Sequence, residues 1–587
     1  MEHDLPGCPV LPPSASNCCR VRNSGEGRGR HVIATRPLPN PGMTFLRDKP
    51  FAAVVADLYR NTCCAACLHV CTEQIFVCGA CKVTFYCSSA CVARDSMIHA
   101  GPECHALVEL DAFGVEGDSQ AMRLALRLAC LAAKEEARHD NGKGGSCTAP
   151  PLNAFHTSTF ISSLEDHFDD IKDASIKNSI QTVADALSSF LESGIKAARP
   201  KNEIPAPPPR PRFDMARLLL AIQCNAHSIR DSYESNLGLG VYPIASMLNH
   251  SCQPNAYHVF RFHQGEGPPT LLFKTLRAVG TGQELVYSYT DLMRPGQLRR
   301  ATLANAYFFS CDCPRCTVTL PKAHKYIECE KDNGQETTDS EDNCVDSSLE
   351  WSLQSIACDT DSCAGAFCCS GSDEEYYCLV CGARESSAAL KKKLTVATAL
   401  LENGIRRLET DSEQHIAGRD KDTYTASESA LPEVLRGLAN LLFATNRPAG
   451  LHVQHWMIYH ALLCLSNYLM APDAGVHPLE REDEERAWLR AACEIWALRS
   501  LWRLCGGLEH SKGSKRILFF PELGSRLTRM EKALKAYAKA CGGNKKFEEH
   551  LKYGAWRLPL VTEDAEVTGG GNKTTLESVR EILGKDL

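Results

Sequence analysis

The chain has 587 residues, 31 cysteines and a formal net charge of −7 at neutral pH. It is too long for a single hydrophobic core, so we expect three or more domains. The negative charge argues against a protein built mainly to bind nucleic acid, which needs a basic surface. No stretch reaches the roughly 18 apolar residues of a membrane-spanning helix, and no signal-peptide pattern is present, so we expect a soluble intracellular protein. In such a protein cysteines are more often metal ligands than disulfides.

In chain order, the pattern first predicts a disordered N-terminus at 1–20 and then short strands over 25–62, beginning in the Gly-rich segment GEGRGRHVIATRPL. Helical periodicity follows from 105 to about 200 and ends in a proline-rich loop of polyproline type. Residues 214–316 mix one helix with short strands and turns. From about 386 onward helical periodicity returns, which favours an array of helical hairpins.

A dense group of cysteines lies between residues 63 and 104, with the spacing C-x2-C-x10-C-x2-C-x5-C-x3-C-x7-H-x4-C. Eight soft ligands fit two closed tetrahedral zinc sites, and a segment this short cannot bury a core without metal. The predicted ligands are Cys64, Cys67, Cys78, Cys81, Cys87, Cys91, His99 and Cys104. Cys63, Cys71 and His105 lie close enough in sequence to replace the last of these ligands.

Two segments outside this group carry residue types that suggest a site. A GRG triplet at 27–29 precedes a strand, although such a triplet alone is more often a plain turn. In ASMLNHSCQPNA, at 245–256, an apolar run ends abruptly in an amide, an imidazole, a hydroxyl and a thiol.

Two further sets of cysteines are predicted to hold metal. The segment 282–316 contains ELVYSY and ends in Cys311, Cys313 and Cys316, which leave a tetrahedral zinc one ligand short; Cys252 can supply the fourth. Two pairs of cysteines that bracket AGAFCCSGSDEEYY have the spacing of a zinc ribbon, with Cys368 and Cys369 as competing ligands. The four predicted ribbon ligands are Cys358, Cys363, Cys378 and Cys381.

The order of these motifs resembles the SET- and MYND-domain (SMYD) protein lysine methyltransferases. The resemblance implies a multidomain α+β fold, in which a SET-type β-fold with a pseudoknot carries an inserted MYND zinc finger, a helical insert, a zinc-bound post-SET segment and an α-helical TPR-like C-terminal lobe. The implied boundaries are 21–62 and 213–310 for the SET domain, 63–104 for the MYND finger, 105–212 for the helical insert, 311–316 for the post-SET segment, 317–385 for an acidic insert with the ribbon, 386–565 for the C-terminal lobe and 566–587 for a polar tail.

The same resemblance assigns roles to individual residues. Tyr289 and Tyr307 match the catalytic tyrosines, and the implied S-adenosyl-L-methionine-binding residues are Arg28, Gly29, Asn249, His250, Tyr289 and Phe309. In the family's interleaved finger, one zinc would take Cys64, Cys67, Cys87 and Cys91, and the other Cys78, Cys81, His99 and Cys104. With the post-SET and ribbon sites, we expect about four structural Zn²⁺ ions.

The implied function is S-adenosylmethionine-dependent N-methylation of lysines in histone or non-histone proteins. The main alternative is a catalytically weak or inactive scaffold that binds proline-rich peptides through the finger. A thiol-based redox protein fits the cysteine spacings less well than zinc does. We expect a monomer in the cytoplasm and nucleus, without membrane association or direct nucleic-acid binding.

Overall fold

The computed structural model describes residues 18–23, 29–71, 75–115, 119–140, 157–198, 214–231, 236–263, 265–317, 350, 353–360, 363, 365–368, 375–378, 380–417, 450–451 and 455–470. The chain divides into two compact units. The first comprises residues 1–290 and 300–313, and the second comprises 291–299 and 314–587. No helix in the described ranges is long and apolar enough to cross a membrane.

The first unit combines short strands with longer helices. Its strands are β1 (Cys19–Asn23), β2 (Arg30–Ala34), β3 (Thr44–Asp48), β4 (Ala52–Val55), β5 (Phe76–Val77), β6 (Phe85–Tyr86), β7 (Ala226–Arg230), β8 (Asn236–Val241), β9 (Asn249–His250), β10 (Ala256–His263), β11 (Gly267–Thr275) and β12 (Val286–Tyr287). Its helices are α1 (Ser89–His99), α2 (Pro102–Phe113), α3 (Gln120–Asp140), α4 (Thr157–Ser162), α5 (Ala174–Ala197), α6 (Met215–Asn225) and α7 (Gly296–Tyr307), of which the first residues of α7 belong to the second unit. Short 3-10 turns lie at Asp57–Tyr59, Phe168–Asp170 and Ala245–Met247.

The strands form several small sheets, with three-stranded orders β10-β11-β3 and β4-β8-β7. In the first of these, Phe273 on β11 lies opposite Leu46 on β3, and both side chains are completely buried. The parallel pair β9–β12 sets Asn249 opposite Val286 and His250 opposite Tyr287. This pairing brings the NHSC and ELVYSY segments side by side, although they are far apart in sequence.

The cysteine-dense segment 63–104, called the finger from here on, packs on the sheet β4-β8-β7. A side chain at Gly238 on β8 would place its Cβ 2.3 Å from the carbonyl oxygen of Val54 and 2.5 Å from Leu68 of the finger. Only glycine therefore fits at this point of the sheet. Leu68 is itself buried in a core cluster with Ile229 and Leu237 of the neighbouring strands.

Four helices, α2, α3, α5 and α6, bury their apolar faces together in a second core. The helix predicted from IQTVADALSSFLESGIKAA is α5, which begins at an N-cap, Asp173, whose carboxylate accepts the N–H groups of Ser175 and Ile176. The proline-rich loop at 199–213 lies outside the described residues. The prediction of disorder over 1–20 is wrong for residues 18–20, because Cys18 and Cys19 are buried and β1 pairs with β2; residues 1–17 lie outside the described residues.

The second unit contains a short helix, two hairpins and two long helices among its described residues. These are α8 (Pro314–Thr317), β13 (Ser355–Ala357), β14 (Ala366–Cys368), β15 (Glu375–Tyr377), β16 (Arg384–Ser386), α9 (Ser387–Ala417) and α10 (Trp456–Met470). Strand β13 pairs with β14 and β15 pairs with β16, and we call this double hairpin the ribbon. Helices α9 and α10 pack against each other, and residues 418–449 between them and the helices predicted beyond 470 lie outside the described residues, so the array of helical hairpins stays a prediction.

Candidate active site and metal centres

The finger brings its eight predicted ligands together in two groups. The groups are Cys64, Cys67, Cys87 and Cys91, and Cys78, Cys81, His99 and Cys104, and within each group every ligand atom lies within 4.8 Å of the others. The sulfur-to-sulfur distances are 3.7 Å for Cys67–Cys87 and 3.6 Å for Cys87–Cys91. This is the interleaved arrangement that the family resemblance implies. Cys104 belongs to the second group, whereas Cys63, Cys71 and His105 belong to neither.

The sulfur distances fit zinc and exclude disulfides among these ligands. A disulfide holds its sulfurs about 2.05 Å apart. Tetrahedral zinc with bonds of about 2.3 Å to sulfur holds its ligand sulfurs about 3.8 Å apart. Cys78 and Cys104 are separated by 3.8 Å, and Cys81 Sγ lies 3.4 Å from His99 Nε2. Thiolates and an imidazole at these separations match the donor set of a closed structural zinc site.

Buried charged residues connect the second group of the finger to the rest of the first unit. His99 Nδ1 lies 3.5 Å from Glu103, and Arg127 on α3 donates to Glu103 at 2.7 Å. Arg127 also donates to Asp95 at 3.2 Å and to the carbonyl oxygen of Ala53 on β4 at 3.1 Å. Burial alone would raise the pKa of Glu103, but Arg127 and His99 lower it to about 2, so the carboxylate stays ionised.

Sequence reasoning missed this network. The available signal was an arginine within the otherwise apolar run LALRLAC of α3, since a buried arginine requires partners. A carboxylate thus lies beside one ring nitrogen of His99, while the other ring nitrogen faces the predicted metal ligand Cys81.

A third group comprises Cys252, Cys311, Cys313 and Cys316, all of them buried. The sulfurs of Cys252 and Cys311 are 4.0 Å apart. Cys252 lies two residues after β9, and Cys311 and Cys313 follow α7, so the group joins two segments that are far apart in sequence.

The imidazole of His250 bridges this third group and the predicted catalytic tyrosine. Its Nδ1 accepts the backbone N–H of Tyr289 at 2.9 Å, and its Nε2 lies 3.2 Å from Cys252 Sγ. Because a backbone N–H can only donate, Nδ1 must carry no proton, and in the neutral ring Nε2–H then donates to the sulfur. Both ring nitrogens are therefore engaged within the protein, which leaves the backbone of His250 as the part able to contact a cofactor.

The rings of the two predicted catalytic tyrosines are neighbours, tilted by 44° to each other. The ring centroids of Tyr289 and Tyr307 are 4.9 Å apart, and the Tyr289 hydroxyl donates to the carbonyl oxygen of Leu248 at 2.5 Å. Burial and the neighbouring Tyr307 raise the pKa of Tyr289 above its ordinary value, so the hydroxyl stays protonated at neutral pH. The Tyr289 oxygen can therefore accept or donate hydrogen bonds, but it cannot serve as an ionised base.

The remaining predicted donor-binding residues surround this pair in part. Phe309 lies 6.3 Å from Tyr289 and 5.9 Å from His250 between ring centroids. The Asn249 amide donates to Glu284 at 2.9 Å. Tyr289, Tyr307, Phe309, Asn249 and His250 are all half-buried, so each keeps some surface open to a bound molecule.

The chain turns sharply within this site. Phe308 has a φ of +60°, a value that is uncommon outside glycine. This residue lies between Tyr307 and Phe309, which are both predicted site residues. Gly29, at a φ of +56°, has the left-handed backbone that glycine adopts without strain. Arg28, the other predicted residue of this triplet, lies outside the described residues.

The ribbon forms the fourth group from its predicted ligands, with 3.6 Å between Cys358 and Cys381 and 3.6 Å between Cys363 and Cys378. Unlike the ligands of the third group, Cys381 is exposed. The competing ligand Cys368 lies on β14, outside the group, and Cys369 lies outside the described residues.

Comparison with known proteins finds similarity to one domain family and to several named lysine methyltransferases. A family model described as the SET domain matches residues 105–290. The chain is 28% identical over 289 residues to histone-lysine N-methyltransferase SMYD3 of Mus musculus, covering 49% of this chain and 59% of that protein. It is 27% identical over 307 residues to N-lysine methyltransferase SMYD2 of Gallus gallus, with 52% and 61% covered. To histone-lysine N-methyltransferase ASHR1 of Arabidopsis thaliana it is 24% identical over 375 residues, with 64% and 66% covered.

The matches therefore span about three fifths of the length of the first two of these relatives. The matched SET domain contains the paired strands β9 and β12 together with His250 and Tyr289. The chain therefore contains a segment that matches the SET domain, and it is similar to these SMYD2, SMYD3 and ASHR1 lysine methyltransferases over about half to two thirds of its length.

Proposed function

We propose that the protein is an S-adenosylmethionine-dependent protein lysine N-methyltransferase that acts on histone or non-histone proteins. The observation that carries the proposal is the position of the Tyr289 hydroxyl, which donates to the Leu248 carbonyl oxygen, with the ring of Tyr307 beside it. It lies beside Asn249 and His250, in the domain that is similar to the named lysine methyltransferases.

The reaction is a displacement in which the lysine nitrogen takes a methyl group. S-adenosylmethionine, when bound, supplies this methyl group from its sulfonium and keeps the sulfur's bonding electron pair. The lysine must attack as a neutral amine, although its ordinary pKa is about 10.4. Desolvation in a narrow apolar channel and the adjacent sulfonium charge would both disfavour the ammonium form, and the released proton passes to water.

The site residues would act mainly by orientation. The Tyr289 and Tyr307 hydroxyls would hold the amine in line, and correct alignment of two reactants is worth about 7–11 kcal/mol of barrier. The donor would be held by Arg28, Gly29, Asn249, Tyr289, Phe309 and the backbone of His250. Because Tyr289 stays protonated, it introduces no negative charge that would stabilise the ammonium form.

The same proposal includes the identities of the domains, the number of zinc ions, the oligomeric state, the location and the partners. The finger would be a MYND module, the third group a post-SET zinc site and α9 with α10 the start of a TPR-like lobe, within the domain boundaries predicted above. About four structural zinc ions would be bound. The protein would work as a monomer in the cytoplasm and nucleus, and proline-rich peptides would be secondary partners of the finger.

The scaffold alternative is not favoured, because an inactive scaffold has no need for a paired Tyr289 and Tyr307 beside Asn249 and His250. The deciding experiment is transfer of a radiolabelled methyl group from S-adenosylmethionine to histones and to a peptide array. We expect Tyr289→Phe to lower kcat by about 100-fold, the scale of a lost orienting contact, because the hydroxyl is removed while the ring stays in place.

Tyr242→Phe is the matched control. Tyr242 is also buried, and its hydroxyl also faces a backbone carbonyl, that of Pro269 at 3.4 Å. This variant should keep wild-type activity. A wild-type protein that neither binds the donor nor transfers methyl would refute the proposal.

A further inference from the structure

A buried carboxylate lies behind the NHSC segment. Asp48, the last residue of β3, is 5% exposed, and its Oδ2 accepts the backbone N–H of Ile244 at 2.8 Å and that of Ala245 at 2.9 Å. Ile244 is the N-cap of the 3-10 turn Ala245–Met247, and Ala245 is the first residue of this turn. The side chain of Ile244 makes no capping hydrogen bond to the turn. The first N–H groups of a helical turn find no partner within it, so a buried turn needs an acceptor from elsewhere.

The turn that Asp48 holds leads directly into the candidate active site. The N–H of Leu248 donates to Ala245 at 3.1 Å, and the Leu248 carbonyl accepts the Tyr289 hydroxyl. Asn249 and His250 follow at once as β9. A shift of the turn would therefore move the anchor of the Tyr289 hydroxyl and the segment proposed to bind the donor together.

We propose that Asp48 is a positioning residue for methyl transfer, which fixes the 3-10 turn and thereby the Leu248 carbonyl and the Asn249–His250 segment. It acts through backbone N–H groups and touches neither substrate nor donor. The proposed effect of Asp48 on methyl transfer rests on the proposed function, whereas its effect on the turn does not.

What the turn requires is an acceptor oxygen, not a negative charge. One oxygen with two lone pairs can receive both N–H groups, and an asparagine carbonyl provides such an oxygen as well as a carboxylate does. Asp48→Asn should therefore retain function, whereas Asp48→Ala removes the acceptor and leaves two buried N–H groups without one.

The test compares Asp48→Ala, Asp48→Asn and Thr275→Ala in the full-length protein. Thr275 is a matched control, because it is completely buried on the neighbouring strand β11 and its hydroxyl bridges backbone groups of Asn40 and Met43, away from the turn. Amide hydrogen exchange is measured over residues 242–250 without donor, and S-adenosylmethionine affinity and kcat are measured separately.

We expect Asp48→Ala to speed exchange of the Ile244 and Ala245 amides by at least about tenfold, to weaken donor binding by about tenfold and to lower kcat by about 100-fold, since small misplacements are costly in a preorganised site. Asp48→Asn should stay within about threefold of wild type in all three, as should Thr275→Ala. Equal exchange in Asp48→Ala and Thr275→Ala, or an Asp48→Asn variant as impaired as Asp48→Ala, would overturn the inference. An inactive wild-type protein would refute the proposed function, while the exchange result would still decide the role of Asp48 in the turn.

Discussion

The finger and the ribbon use the same kind of ligand but are anchored differently. In the finger, Cys64, Cys67 and Cys91 are completely buried, and Arg127 links the second ligand group to β4 through buried ion pairs. In the ribbon, Cys381 is exposed, and the ribbon is tied to α9 by Lys393, a partly exposed residue that pairs with Asp359 and Glu385.

The difference indicates which metal sites support the fold of the first unit. A buried charge that loses its partner is strongly destabilising, whereas an exposed ion pair contributes little. Loss of metal from the finger should therefore destabilise the whole first unit. Loss of metal from the ribbon should affect only the second unit. The third group, which contacts His250, should resemble the finger in this respect.

The largest expected contrast is between Cys252→Ser and Cys381→Ser. Each variant should lose one zinc ion by elemental analysis. Cys252→Ser should also lower methyl transfer by about 1000-fold, because it removes both a ligand and the partner of the His250 ring that supports Tyr289. Cys381→Ser should stay within about threefold of wild type; equal losses of activity would show that the contrast is wrong.

The second contrast compares the two anchoring cations. Arg127→Met should cost about 3–5 kcal/mol of unfolding free energy, because it leaves Asp95 and Glu103 buried without their cation. Lys393→Met should cost less than about 1 kcal/mol, since its ion pair is partly exposed. Urea unfolding followed by circular dichroism measures both, and a similar cost for the two variants would contradict the account.

A third prediction concerns pH and the buried Asp48. Burial raises the pKa of this carboxyl to about 6, and the hydrogen bonds from Ile244 and Ala245 offset this only in part. In the unfolded chain its pKa returns to about 3.9, so the folded state holds the proton more tightly. Stability should therefore fall by about 3 kcal/mol as the pH rises from about 4 to about 6, and should then level off.

Asp48→Asn removes this titration and serves as the reference. The other titratable groups facing Asp48, Cys19 and Tyr242, have raised pKa values and stay neutral over this pH range. The difference in unfolding free energy between the variant and the wild type should therefore follow Asp48 alone, because pH effects on zinc binding are common to both proteins. A difference that does not change between pH 4.5 and 7 would contradict the assignment.

The smallest effect should appear in the order of metal release. With a chelator and a chromogenic zinc indicator, about one zinc per chain should leave first without a change in the circular dichroism signal, since the ribbon ligand Cys381 is accessible. The remaining zinc should leave only as the first unit unfolds. Simultaneous release of all the zinc would remove the distinction between the finger and the ribbon.

Sequence spacing was sufficient for the parts of the fold that depend on local chemistry. Pairs such as Cys64–Cys67 and Cys378–Cys381 are close in sequence because two ligands of one tetrahedral site fit on one turn. The α5 helix was predictable from its periodicity. The pairing of Cys252 with the cysteines after α7 followed from the missing fourth ligand, a stoichiometric argument that needs no coordinates.

Residues whose partners lie far away in sequence could not be predicted in this way. Asp48 meets Ile244 across 196 positions, and Arg127 meets Ala53 across 74. In the sequence the first is simply an acid after a strand and the second a base within a helix. The role of the His250 ring also required the structure, because the sequence resemblance implied only that the residue binds the donor and gave no contact of its ring with Cys252 or Tyr289.

The most direct test of the central claim uses a donor labelled with a trideuteromethyl group, with mass spectrometry to locate the label on histones and on array-selected proteins. The account predicts a trideuteromethyl group on a lysine side-chain nitrogen with wild-type protein and with Tyr242→Phe, and little or none with Tyr289→Phe. Label confined to cysteine, histidine or arginine, or equal lysine labelling by Tyr289→Phe, would contradict it.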